Sequence, residues 1–328
     1  MSYIEKYGWG FLLYRKRDRI IFKTKDRKDD IPLDSDNIFV IKIFGVGHIS
    51  TKVLSTISQF SGASLIFKKN PKRLAIRISS YNTMLLRYMQ IRSYITPKIR
   101  FYLAKRFVYS ALMNKRSMLL FLEKITRFNF GSAVKELERI ILRLSQTEFS
   151  DSMSIEENIE SLMGIEGNGA HIYFQSISEI IPSEFDFRGR VKRPPTDPVN
   201  AALSYGYVFV GHKLKEMLLD FGFDTKIGFL HEFGRGRDSL SLDMLEEFRQ
   251  PVVDSVVFSM ILDGALNPKY HFRKVGTAIH LNERGKNSVL TAIKLAFGKY
   301  RTHILNEIQK IIKCLLHDSK VEPFIWRV

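Results

Sequence analysis

Cysteine is nearly missing from this chain. Its 328 residues include one, Cys314. A single thiol excludes an intrachain disulfide and a cysteine-built zinc cluster, and it fits a reducing, cytoplasmic compartment. Long apolar runs are missing as well. The longest candidate, residues 252–266, is broken by Asp254 and Asp263, so it falls short of the roughly 18 apolar residues that a membrane helix needs. The opening stretch "MSYIEKYGWGFLLYRKR" has too short an apolar run for a secretory signal and no small-residue cleavage site. No Walker lysine motif and no GxSxG elbow occurs. The zinc-protease pattern HExxH fails too, because Arg235 stands where the second histidine would follow His231 and Glu232.

The third absence is local. Residues 37–122 contain no Asp or Glu, yet they hold fifteen Lys or Arg. Among them are Arg87, Arg92 and Lys98, with Tyr88, Tyr94, Phe101 and Tyr102 interleaved. A helix that meets only water normally mixes both signs of charge. Basic side chains without acidic neighbours neutralise phosphates, and aromatic rings can stack on exposed bases. Most of these aromatics suit a helix core equally well. The whole chain carries a formal charge of +17 and a pI near 9.8, an electrostatic footprint that favours polyanions such as nucleic acid.

What is present is ample for a core: 45% of the residues are hydrophobic and 12% aromatic. The pattern predicts an α+β protein. "GFLLYRKRDRIIFKTK" places two short apolar runs around a charged tip, a hairpin signal. "NIFVIKIFG", "SLIFKK" and "RLAIRISS" are further strand-like runs. Between them Val53, Leu54, Ile57 and Phe60 fall on one helix face, and Gly62 stops that helix. Beyond Tyr81 the period becomes helical, interrupted at Pro97, with loops expected near 126–133, 145–153, 182–198 and 222–240. These changes divide the chain into a β-rich domain over 1–80, a linker over 81–86 and an all-α domain over 87–328.

Three helical-region segments have unusual chemistry. "IGFLHEFGRGRDSLSLDMLEEFR" spaces Asp243 and Glu246 three apart on one helix face, with His231 twelve residues ahead behind a glycine–arginine loop. An imidazole and carboxylates suit a divalent cation, and the same spacing also suits a solvated face. Glu247, one step round, reads as surface or structural. "FRGRVKRPPTDPVNAALSYGY" gathers Arg188, Arg190, Lys192 and Arg193 before a Pro-Pro turn, and Asp197 reads as the N-cap of the helix opened by Pro198. "MGIEGNGAHIYF" places Glu166 beside Gly167 and Gly169, small residues that let another element approach.

Taken in order, these segments and the helix "LLRYMQIRSYITPKIRFYLAKR" resemble the Cas1 family, the endonucleases and integrases of CRISPR spacer acquisition. The resemblance spans nearly the whole chain and includes the β-rich start. It implies a metal site of Glu166, His231 and Glu246 for Mg²⁺ or Mn²⁺, with Asp243 as a neighbouring secondary acid. Glu246 is taken over Glu247 on the interval from Asp243. The implied reaction is attack of a DNA 3′-hydroxyl on a phosphodiester at a CRISPR repeat, with hydrolysis when water attacks instead. Arg188, Arg190, Arg193, Arg235 and Arg237 are then candidates for DNA contact, joined by Arg87, Arg92 and Lys98 of the acid-free span. The implied partners are a second copy through the N-terminal domain and the small protein Cas2. A stand-alone nuclease or transposon-type integrase on the same fold, or a catalytically silent DNA-binding scaffold, are the competing expectations.

Overall fold

The structure is a computed structural model that describes residues 2–33, 39–59, 63–68, 76–79, 82–191, 194–234, 236–317 and 319–328. Two compact units emerge from the chain's contacts. One comprises Met1–Arg92, Glu216–Asp224 and Ile312–Ser319, and the other Ser93–Lys215, Thr225–Ile311 and Lys320–Val328.

The first unit is built on a six-stranded sheet. Strands β1 (Ser2–Lys16) and β2 (Arg19–Lys23) form the expected hairpin, with Lys16 opposite Arg19. β3 (Lys28–Pro32) adds antiparallel to β2. Its sequence KDDIP offers one aliphatic side chain, Ile31, so the strand owes its existence to pairing rather than to its own pattern. β4 (Phe39–Ile49) runs parallel to β1, helix α1 (Thr51–Gln59) follows, and β5 (Ala63–Lys68) lies parallel to β4. β6 (Ile76–Ser79) closes the edge antiparallel to β5, giving the order β3-β2-β1-β4-β5-β6.

Phe11, Leu13, Ile20, Phe22, Ile41 and Ile43 form the core with Val53 and Ile57 of α1. Burying each such side chain contributes about 1.5–3 kcal/mol. The β1–β4 pairing is close enough to demand glycine at one point. Gly45 has φ +139, and a Cβ there would overlap the backbone oxygen of Gly8. A buried charge sits within this unit as well. Lys42 Nζ is 2.7 Å from Asp220 Oδ2, and Tyr3 OH donates to the same oxygen at 2.6 Å. Helix α2 (Asn82–Ile95) begins within the segment expected as a linker, and Arg87 Nε on it donates to Gly222 O at 2.9 Å.

The second unit is mostly helical. Its frame is α3 (Pro97–Thr126), α4 (Gly131–Gln146), α5 (Ile155–Ser178), α6 (Pro198–Phe221) as far as Lys215, and α7 (Ser239–Arg249). After a π-helical turn at Gln250–Asp254 come α8 (Ser255–Leu262), α9 (Pro268–His271) and α10 (Glu283–His317) as far as Ile311. The sequence breaks helices where expected. Pro97 opens α3 after Thr96, a capping box of Ser154 and Glu157 starts α5, and Asp197 Oδ1 accepts from Asn200 N at 2.8 Å. One element corrects the all-α expectation. β7 (Phe272–Val275) and β8 (Ala278–Leu281) make a hairpin turning at Gly276, with buried Phe272 opposite buried Leu281. Four residues per strand are too few to leave a two-residue period in the sequence.

Helix α3 is buried on several sides, and its polar residues hold the chain's last segment. Trp326 N donates to Asn114 Oδ1 at 2.7 Å, and Ser117 Oγ to Trp326 O at 2.6 Å. Asn114 Nδ2 also donates to Glu247 O at 2.8 Å, tying α7 to the same helix. Elsewhere along α3, Arg106 is enclosed by two carboxylates. Its Nη1 is 2.9 Å from Glu247 Oε1, and its Nη2 pairs with Glu307 of α10. All three side chains are at most 2% exposed. Removing the guanidinium alone leaves two buried carboxylates uncompensated. Arg106→Met is therefore expected to cost about 3–5 kcal/mol in a urea melt. A melt that matches the wild type contradicts this role for Arg106.

Candidate functional site

Helix α7 is not a solvated amphipathic helix. Asp243 and Glu247 have no exposed surface and Glu246 is 3% exposed. Three charges in one buried helix need three separate partners. The structure provides each of them.

Asp243 holds the loop ahead of the helix. Its Oδ2 accepts from Phe229 N at 2.6 Å and Leu230 N at 3.2 Å, and its Oδ1 from His231 N at 3.0 Å. His231 Nδ1 also lies 2.8 Å from Oδ1. Both oxygens already accept from backbone N–H groups, so Nδ1 donates, and in the neutral form of the ring the lone pair then lies on Nε2. The loop can press this close because position 228 is glycine. A Cβ there would come 2.8 Å from Asp243 Oδ2. Burial pulls the His231 pKa down, but the hydrogen bond and charge of Asp243, with the charge of Glu246, outweigh it, and the net shift is upward. Asp243 thus orients the imidazole with both of its oxygens already engaged.

Of the two readings of Glu247, surface or structural, the geometry fits the structural one, because it is the buried partner of Arg106. Burial pushes its pKa up against the pull of that guanidinium. Glu246 differs from both. Its Oε2 lies 2.8 Å from Arg249 Nη1, one helical turn on, as an ion pair without hydrogen-bond alignment, and this buried oxygen accepts no hydrogen bond. On α5, Glu166 is paired to α3, where Lys115 Nζ stands 2.7 Å from Glu166 Oε1. The two helices meet closely at Gly169, where a Cβ would overlap Leu112.

Arg249 is the common neighbour of these groups. Burial pulls its pKa down, while the charges of Glu246, Glu166 and Asp254 raise it to a net upward shift. Its guanidinium lies 5.0 Å from the Tyr207 ring centroid. Tyr207 OH donates to Asp254 Oδ1 at 2.6 Å, and Tyr173 OH to Oδ2 at 2.8 Å. Asp254 ends the π-helical turn and is fully buried, and its pKa is raised by that burial. Lys115, Arg249, Tyr173, Tyr207 and Asp254 escaped the sequence reading. The usable signals were the three-residue interval from Glu246 to Arg249 and the lone acid near the start of the apolar run 252–266.

The candidate cations separate into groups. Arg190 is turned inward, with Nη1 2.7 Å from Asn200 Oδ1 and Nη2 3.0 Å from Ser204 Oγ. Arg188 is exposed beside Asp186 at 3.1 Å, Lys98 is exposed beside Asp151 at 3.1 Å, and Arg87, Arg92 and Arg237 are exposed. Arg193 and Arg235 lie outside the described residues.

Among the described residues, no three His, Cys, Asp or Glu side chains stand close enough together to hold a metal ion. Glu166 and Glu246 face Lys115 and Arg249 instead. The donor chemistry nevertheless fits a divalent cation: an imidazole whose Nε2 is left available by Asp243, a buried carboxylate oxygen with no hydrogen bond, and a second carboxylate from another helix. Among the described residues no helix is long and apolar enough to cross a membrane.

Comparison with known proteins gives this arrangement a class. The profile of the CRISPR associated protein Cas1 family matches residues 5–294. Two relatives from Thermus thermophilus, each named a CRISPR-associated endonuclease, are 33% and 35% identical. The first match covers 69% of this chain and 70% of the relative, the second 74% and 71%. A solved CAS1 protein from Thermotoga maritima superposes with a TM-score of 0.62 at 24% identity over 97% of both chains. A casposase bound to its integration product gives 0.79 at 19% identity over the whole of both, a likeness of fold alone. The class is that of the CRISPR-associated endonucleases. The chain belongs to the Cas1 family.

The geometry around Asp243 sets an expectation. In Asp243→Asn, one oxygen becomes an NH₂ that faces N–H donors. The substitution should cost about 1–3 kcal/mol of stability. It should also weaken divalent-cation binding by about 10–100-fold, since the ring loses its orienting partner. Urea melts and Mn²⁺ titration check both. Unchanged values in both would remove the supporting role given to Asp243.

Proposed function

We propose that this chain is a metal-dependent DNA endonuclease and integrase of CRISPR adaptation. It inserts new spacer DNA by attack of a 3′-hydroxyl on a phosphodiester of the repeat. The observation that carries the reading is the Asp243–His231 clamp set beside the buried, hydrogen-bond-free oxygen of Glu246. The same carboxylate that fixes the imidazole also gathers three backbone N–H groups, so the ring is held rigidly at the rim of α7.

In this reading Glu166, His231 and Glu246 hold Mg²⁺ or Mn²⁺, and the nitrogen ligand makes Mn²⁺ well tolerated. When bound, the ion neutralises charge on the scissile phosphate and activates the attacking oxygen. The chain's own residues supply the rest. Asp243 keeps His231 in one tautomer and one orientation. The Asp254–Tyr207 pair sets the position of Arg249 beside the carboxylates. Water as the nucleophile gives strand cleavage at the same site. Arg188, Arg237, Arg87, Arg92 and Lys98 are exposed cations suited to the DNA backbone, whereas Arg190 is turned inward onto Asn200 and Ser204 of α6.

The likeness to a casposase at the level of fold keeps a transposon-type integrase as the nearest alternative, and the choice of target DNA separates the two. The family's assembly supports a homodimer through the N-terminal unit and the small partner Cas2. Tyr7 and Trp9 on β1, exposed at 64% and 73%, with Val46 opposite Trp9 on β4, give that unit an apolar face suited to a second copy. The reading places the work in the cytoplasm, where the array lies.

The test is an integration assay with a 3′-hydroxyl duplex and a supercoiled plasmid carrying a repeat, in Mn²⁺ or Mg²⁺. His231→Ala and Glu166→Ala should each lower integration by on the order of 100-fold or more. If either variant integrates as well as the wild type, the ligand assignment is wrong. Insertion independent of the repeat would favour the transposon-type reading.

A further inference from the structure

Both carboxylates assigned to the metal already have a cation. Lys115 Nζ is 2.7 Å from Glu166 Oε1, and Arg249 Nη1 is 2.8 Å from Glu246 Oε2. Neither cation is a loose surface group. The Lys115 side chain is 3% exposed and that of Arg249 23%. Lys115 projects from the middle of α3, and Arg249 lies against Tyr207, whose hydroxyl is fixed by Asp254. A divalent ion that takes these carboxylates therefore competes with an ammonium and a guanidinium at short range. Both cations are also good partners for a phosphodiester. The guanidinium fork matches two phosphate oxygens, and the ammonium offers three donors.

We propose that Lys115 and Arg249 are resident counter-cations of the metal ligands, and that the phosphate backbone of bound DNA draws them off. DNA then frees Glu166 and Glu246 for the ion, and the ion frees Lys115 and Arg249 for the phosphate. Thermodynamic linkage makes the effect reciprocal: each ligand tightens the other by the same factor. The two residues are positioning residues, acting on the carboxylates rather than on the reacting atoms. Their effect is to make the protein hold its metal firmly only when DNA is in place, which restrains hydrolysis by an idle site. The proposal rests on Glu166 and Glu246 being ligands.

Mn²⁺ binding, followed by loss of the free-ion electron paramagnetic resonance signal, tests it without reference to activity. The full-length protein is titrated with and without a short duplex ending in 3′-dideoxy nucleotides, and DNA alone serves as the blank. Duplex should tighten Mn²⁺ on the wild type by on the order of 5-fold or more. Lys115→Met and Arg249→Met should each bind Mn²⁺ more tightly than the wild type without DNA, and should gain less when DNA is added. A purely structural role predicts the opposite, because damage to the site weakens the metal. The proposal is overturned if duplex leaves the wild-type affinity unchanged, an arm that needs no variant to fold. It is equally overturned if a folded Lys115→Met or Arg249→Met binds Mn²⁺ no more tightly than the wild type. Glu166→Gln and His231→Ala in the same titration locate the failure. If neither weakens Mn²⁺, the ligand assignment has failed and this proposal with it. If both weaken it while the counter-cation variants do not tighten it, only the counter-cations are wrong.

Discussion

The carboxylate of Asp243 is the constraint on which the site depends. It gathers three consecutive backbone N–H groups and one imidazole, and it does so from a fully buried position. A buried carboxylate without partners would shift its pKa or destabilise the fold. Satisfied in this way, it converts residues 229–231 from a loop into a fixed rim of α7. His231 then has one orientation, and Glu246, one turn further on, shares its surroundings. The same helix carries Glu247 into the pair with Arg106, so the site and the core of the second unit are held by adjacent residues.

Much of the fold was legible from the sequence because local signals agreed with the final packing. The hairpin of β1 and β2, the break at Pro97, the Asp197 cap and the mostly helical second unit all follow from short-range patterns. β3 and the β7–β8 hairpin were not legible, because pairing partners rather than period make those strands. In the candidate site, the i, i+3 interval placed Asp243 and Glu246 on one face, but it could not tell a buried face from a wet one. Burial on all sides of α7 is a property of what surrounds it. Lys115 was hidden for the same reason. It is one of fifteen cations in an acid-free span, and its partner Glu166 lies 51 residues away.

The charge pattern of residues 37–122 therefore has two meanings. Its exposed members, Arg87, Arg92 and Lys98, fit a polyanion surface. Its buried members include Lys42, Arg100, Arg106 and Lys115, which serve acids from elsewhere in the chain: Asp220, Glu156, Glu247 with Glu307, and Glu166. Local depletion of acid reflects long-range pairing as much as it suits a polyanion surface. Arg190, outside that span, is likewise engaged within the protein, since its guanidinium ends on Asn200 and Ser204 of α6.

The central claim is that Glu166, His231 and Glu246 form one metal site, with Asp243 behind the histidine and Glu247 apart from it. A crystal structure of the protein soaked with Mn²⁺, with the ion located by its anomalous scattering, tests this most directly. The account predicts a peak bonded to His231 Nε2 and to a carboxylate oxygen of both Glu166 and Glu246, with Asp243 still on Nδ1. A peak bonded to Asp243 or Glu247, or one remote from His231, would contradict it.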